Sequence, residues 1–215
     1  MGIQERRERE KERRRLQILV AAKSVFVKKG FGRATMEDIA GEAELSAGTL
    51  YLYFKNKNEL YASLTLRILQ YLIIRLEQLH RENEHDYRGK INGIKNALID
   101  VYEFDPLILK CLFLLQSSDI LKQLSSDLVN EITVLGRRAL NSISVIFKQA
   151  IQRGICLDLH PTAIADIVWS LFSGVVMLES GKQAIGGNPN YLKPTLETAF
   201  EIFEKGIMIK KERAA

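Results

Sequence analysis

Three short polar residues in quick succession, Thr35, Ser46 and Asn56, constrain what this chain can fold into. Each carries a side-chain oxygen able to accept from the free N–H groups at a helix start. Asp38 follows Thr35 by three positions, and Glu59 follows Asn56 by three, the spacing of a capping box. The caps predict three successive helices, at about 36–42, 47–54 and 57–80. The first two are separated by the tight turn Ala43-Glu44-Leu45. A short helix, a turn of three or four residues and a second helix is helix-turn-helix spacing. Such a corner is also a common way to pack two helices with no ligand at all.

The rest of the chain reads the same way. Only 4 prolines and 14 glycines interrupt 215 residues that are 47% apolar, which favours long helices. Leu16, Leu19, Ala22 and Phe26 mark one face of a helix running from about Arg14 to a stop at Gly30. Further helices are expected at about 90–104, 107–116, 126–153, 161–181 and 191–211. Asp105-Pro106 and Gly154 punctuate them, and polar connections are expected at 80–89 and 186–190. The expected fold is all-α, with about nine helices. Residues 1–11 are a charged arm, frayed or an exposed helical extension. Residues 12–72 are expected to form an N-terminal three-helix domain of helix-turn-helix type, and 73–215 a larger helical domain.

Charge placement says more than the mild net charge of +5. From Arg13 to Met36 there are seven basic residues and no acid. The stretch "SAGTLYLYF" from Ser46 has no charge, although a surface helix normally carries some. With Leu50 and Phe54 turned inward, Ala47, Gly48, Thr49, Tyr51 and Leu52 remain outside. Small residues let a backbone descend into a major groove, and threonine and alanine methyls can meet thymine methyls. Gly48 costs a helix about 1 kcal/mol relative to alanine, which close approach to another surface would explain. Lys57 sits in the first turn of its helix, where a cation is unfavourable by about 0.3–1 kcal/mol unless a phosphate lies over that terminus. Amphipathic boundary tyrosines and a solvated lysine patch are the plainer readings of the same residues.

The segment "ILVAAKSVFVKKGFGRATMEDIAGEAELSAGTLYLYFKNKNELY", residues 18–61, resembles the DNA-binding region of tetracycline-repressor (TetR) type regulators. The matching features run in order: Gly30-Phe31, Thr35, Ile39-Ala40, Ser46-x-Gly-Thr-Leu-Tyr-x-Tyr-Phe, then Lys57 and Glu59-Leu60. The resemblance implies that Thr35 and Ser46 cap helices beside phosphates. It implies that Ala47, Gly48, Thr49, Tyr51 and Leu52 face the groove, and that Tyr53 and Lys57 clamp the backbone. Arg33 and Arg13–Arg15 are further candidate phosphate contacts. Glu44-Leu45 stands where the family usually has Gly-Val, which implies a turn of different shape.

In the second part, Ile164, Val168, Leu171, Val175 and Leu178 follow a four-three-four-three seam, and Leu196, Phe200, Phe203 and Ile207 a four-three-four one. Both helices also carry apolar residues off that seam, among them Ile167 and Ile202. A helix apolar on two sides needs two partners. These are the domain's own core and, as the resemblance also implies, a second copy of the chain. The seam residues are the expected dimer interface, with a purely internal core as the alternative. By resemblance the middle helices enclose an effector. Phe104, Leu112, Phe113, Gln116, Asn141, Trp169, Phe172 and Ser173 are candidates, although core packing accounts for each as well. No arginine or lysine cluster marks an anionic ligand, so an apolar or aromatic effector is expected.

Other classes find little support. His80 and His85 are five apart, unlike helical zinc ligands, and no phosphate loop or nucleophile motif occurs. No metal, cofactor or enzymatic role is expected. Cys111 and Cys156 sit in apolar contexts and read as reduced core thiols. The N-terminus lacks the apolar stretch of a signal peptide. The apolar run 163–178 carries Asp166 and falls short of the roughly 20 residues of a membrane span, so a cytoplasmic protein without membrane contact is expected. The expected function is a homodimeric, ligand-responsive repressor of a palindromic operator. A ligand-independent activator or architectural DNA-binding protein is one alternative; a helical enzyme or lipid carrier is another.

Overall fold

The computed structural model describes residues 2–81, 86–116, 119–186 and 191–209. Among them are nine α-helices: α1 (Ile3–Arg33), α2 (Met36–Glu42), α3 (Ala47–Tyr51), α4 (Lys57–Arg81), α5 (Tyr87–Phe104), α6 (Pro106–Gln116), α7 (Ser126–Gln152), α8 (Pro161–Ala184) and α9 (Leu192–Ile207). A 3₁₀ turn, Asp119–Gln123, precedes α7. The described residues contain no strand beyond one antiparallel bridge, Cys156 to Met208. Positions 82–85, including His85, and 187–190 lie outside the described residues, so the connections expected there are not among them.

The chain divides into two compact units. One is Met1–Arg67 with Leu114–Glu131; the other is Ile68–Phe113 with Ile132–Ala215. The boundary falls inside α4, a few residues before the expected one at 72, and a second segment joins the first unit. Asn58 of α4 helps to hold that segment, donating to Gln123 Oε1 at 2.6 Å.

The first unit is built on α1. Its arm is helical from Ile3, and every described residue up to Arg13 is exposed. Ile18, Ala22, Val25 and Phe26 are buried, as are Ile39 and Ala40 of α2, Leu50 of α3 and Phe54. Phe26, Phe31 and Tyr61 close the core, with ring centroids 4.4–5.7 Å apart. Gly30 interrupts α1 at φ 75, ψ 157, a conformation open chiefly to glycine, and a last short turn follows. α2 ends in a Schellman motif: Leu45 N–H donates to Ala40 O at 2.9 Å and Glu44 N–H to Gly41 O at 3.1 Å. That motif needs a left-handed residue, here Glu44 at φ 55. Gly154 fills the same role after α7, at φ 67.

The second unit buries Ile68, Leu72 and Leu76 of α4, Ile94 and Leu98 of α5, Ile143 and Phe147 of α7, and Phe172 and Val176 of α8. Cys111 and Cys156 are buried, and neither is in a disulfide. α9 ends at Ile207, short of the expected 211. Beyond it the backbone turns to pair with the segment after Gly154: Leu157 N–H donates to Ile207 O at 2.8 Å, and Ile209 N–H to Ile155 O at 2.9 Å.

Most of the expected dimer seam faces the chain's own core. Ile164, Val168, Leu196, Phe200 and Ile207 are buried within one chain, and Leu171, Val175 and Phe203 are half-buried. Phe203 packs edge-on against Phe147 at 5.9 Å. Buried side chains have no surface to give a second copy. Off the seam, Ile167 is 53% exposed and Ile202 67%, while Phe172 and Val176 are buried; Leu178, the last position of the α8 seam, is 59% exposed. Periodicity identifies which residues share a face, but not which of two apolar faces looks inward.

Candidate nucleic-acid interface

Each expected cap in the first unit forms. Asp38 N–H donates to Thr35 Oγ1 and Thr35 N–H to Asp38 Oδ2, both at 3.1 Å, a complete capping box. Thr49 N–H donates to Ser46 Oγ at 3.1 Å. Asn56 Oδ1 accepts from Glu59 N–H at 2.9 Å. The Glu59 carboxylate reaches Lys55 N–H, also at 2.9 Å, one residue further back than a capping box requires. Gln17 of α1 donates to Ala43 O at 2.8 Å and so holds the α2–α3 turn.

These contacts present α3 outward. Leu52 is 81% exposed and Tyr51 48%; Gly48 is exposed, while Ala47, Thr49 and Tyr53 are half-buried. Thr35 and Ser46 are exposed beside their helix starts, and Arg33 is exposed with Nε donating to Lys29 O at 3.1 Å.

Lys57 departs from expectation. Its ammonium donates to three carbonyls, Phe31 O at 2.7 Å, Ala34 O at 2.9 Å and Gly32 O at 3.3 Å, and lies 4.6 Å from the Phe31 ring centroid. An ammonium has three donors, and all are used inside the unit. Lys57 therefore closes the end of α1. Two other expected cations are also engaged. Arg15 stacks 4.6 Å over Phe54 and donates to Ser63 Oγ at 3.2 Å; Arg13 pairs with Glu10 at 2.6 Å. Gln17 and Arg15 are structural residues that sequence reading missed. For Arg15 the signal was present, since it precedes Leu19 by four positions on the buried face.

Part of the basic stretch is spent between helices. Lys28 pairs with Glu42 at 2.9 Å and Lys29 with Asp38 at 2.7 Å. The Ser24 hydroxyl and then Lys28 hold the Glu42 carboxyl below its usual range. The Lys29 ammonium, then the Thr35 backbone, do the same for Asp38.

Residues 18–64 match the family profile of bacterial regulatory proteins, tetR family. That segment, which holds α2, α3 and the start of α4, is similar to the DNA-binding region of the family. The chain is 35% identical over 95 residues to the transcriptional activator FasR of Mycolicibacterium smegmatis, a match covering 44% of this chain and 43% of FasR. Matches to the first curated relatives span 25–60% of those proteins' lengths. The fold agrees with the crystal structure of the TetR family regulator PfmR from Thermus thermophilus, at a TM-score of 0.68 and 18% identity over 90% of this chain and 99% of that one. It also agrees with the structure of a SmeT–triclosan complex, at 0.65 and 20% identity over 92% of each chain.

In the second unit the candidate effector residues only partly converge. Phe113, Trp169 and Phe172 form an aromatic cluster with centroids 5.5–6.0 Å apart. Leu112 and Phe172 are fully buried, and Ser173 is half-buried, donating to Ser170 O at 3.1 Å. Phe104 and Asn141 do not fit an enclosed wall. Phe104 is half exposed and stacked on Tyr71 at 4.4 Å, and Asn141 is exposed. The side chain of Gln116 lies outside the described ones. Among the described residues no group of three His, Cys, Asp or Glu side chains is placed to hold a metal.

Proposed function

We propose that this chain is a ligand-responsive transcriptional regulator that binds a palindromic operator as a homodimer and is released by a small apolar or aromatic effector. The observation that carries the reading is α3. It is an uncharged helix with its aliphatic and aromatic residues exposed, held by three capped helix starts, inside the segment that matches the tetR profile. Tyr51, Tyr53, Thr35, Ser46 and Arg33 are the proposed backbone contacts. Ala47, Gly48, Thr49 and Leu52 face the groove.

The proposed dimer uses the exposed side of α8. Ala163, Ile167, Ser170, Gly174, Leu178 and Gly181 recur at steps of three and four and are all exposed. Pro161–Gln183 is one helix long and apolar enough to cross a membrane by length and composition, yet little of it is buried within the chain. Pairing with a second copy explains that apolar surface without a membrane, and a stable pairing needs about 800 Å² from each partner. Two recognition helices about 34 Å apart then match successive major grooves.

The proposed effector binds against Phe113, Trp169 and Phe172. It weakens DNA binding only by as much as it prefers the operator-incompetent state. Trp169 is the single tryptophan, so its emission reports occupancy directly. The test is a titration of apolar aromatic compounds into a labelled operator complex, following Trp169 emission and DNA release together. A compound that changes both supports induction. Compounds that change emission and leave the complex intact favour the second reading, a ligand-independent activator or architectural protein; the similarity to FasR, a transcriptional activator, bears on activation alone.

A further inference from the structure

We infer that α3 selects its operator through the 5-methyl groups of thymine, with Leu52 as the principal specificity-determining residue. The inference rests on the regulatory reading above and names the chemistry its site would recognise. Three observations carry it.

The first is what α3 lacks. From Ser46 to Phe54 there is no Arg, Lys, Asn, Gln, Asp or Glu. Guanine and adenine are read in the major groove by bidentate pairs from such side chains; thymine alone offers a methyl group there. The second is what α3 exposes. Leu52, an aliphatic side chain, is 81% exposed at the end of the helix. The Thr49 hydroxyl lies 2.8 Å from Ser46 Oγ, which also accepts the Thr49 N–H. With its hydroxyl engaged in the cap, Thr49 has its methyl left to offer.

The third is Gly48. A Cβ added there would meet nothing nearer than Ser46 Oγ at 3.9 Å. Packing inside the chain therefore does not require glycine, although a helix without it would be more stable. The requirement comes from outside: a bare backbone lets α3 sink far enough for Leu52 and Thr49 to touch methyl groups on the groove floor.

The test begins with selection of bound sequences from a random duplex library by the full chain. Each thymine of the selected operator is then replaced singly by deoxyuridine, which lacks only the methyl. Affinities are measured for the wild type and for Leu52→Ala. The inference predicts at least one thymine per half-site where deoxyuridine weakens wild-type binding by about fourfold, an effect that Leu52→Ala abolishes. Deoxyuridine without effect at every position overturns it, and so do equal losses in wild type and variant. If no sequence is selected, the regulatory reading fails and the inference with it; a selected operator indifferent to methyl loss defeats the inference alone.

Discussion

A lysine in the first turn of a helix opposes the helix dipole, and Lys57 offsets this by turning to the carbonyls that end α1. Those carbonyls have no intrahelical donors of their own. Lys57→Met should therefore destabilise the first unit by about 2 kcal/mol, the scale of charged hydrogen bonds, as read by urea unfolding. The salt slope of operator binding should stay unchanged, because no phosphate contact is lost. A slope reduced by about one would return Lys57 to the DNA backbone. The acids facing α1 set a pH dependence. Asp38 and Glu42 have folded-state pKa values below their unfolded values of about 4. Their contribution is thus present at neutral pH and lost as pH falls through the folded values. Urea midpoints measured from pH 7 to pH 3 should fall, and Asp38→Asn with Glu42→Gln should flatten that fall.

At the scale of elements, the α2–α3 turn holds an evident local strain. Glu44 occupies the left-handed position that Gly154 occupies after α7. A side chain there costs roughly 1–2 kcal/mol relative to glycine, so Glu44→Gly should raise stability by about 1 kcal/mol in thermal or urea unfolding. Unchanged stability would mean that the glutamate side chain repays the conformation. The turn shows how legible the elements were. Thr35, Ser46 and Asn56 announced three helix starts because a cap needs nothing beyond a local oxygen, and all three form. Glu44 signalled an altered turn, but the substitution changes the cost of a left-handed residue at this position. The end of α9 was not legible, since it depends on pairing with 155–157, far away in sequence. Nor was the use of Lys57, whose partners lie across a turn that no periodicity describes.

At the scale of the whole molecule, the sequence left open which apolar face of α8 looks inward. Two faces of one helix carry equal periodicity, and only the packed chain separates Val168 from Ile167. The distinction yields a paired prediction. Ile167→Glu with Leu178→Glu should give a folded monomer by sedimentation and abolish tight operator binding, because one recognition helix reads a single half-site. Val168→Glu should instead unfold the second unit, since it buries an unpaired charge. The central claim, that two copies of α3 enter successive major grooves, is tested most directly by hydroxyl-radical footprinting on the selected operator. The account predicts two protected half-sites about one helical turn apart, related by a dyad, both lost in Tyr51→Ala/Leu52→Ala while the dimer persists. A footprint of one patch, or one that survives that double substitution, would contradict it.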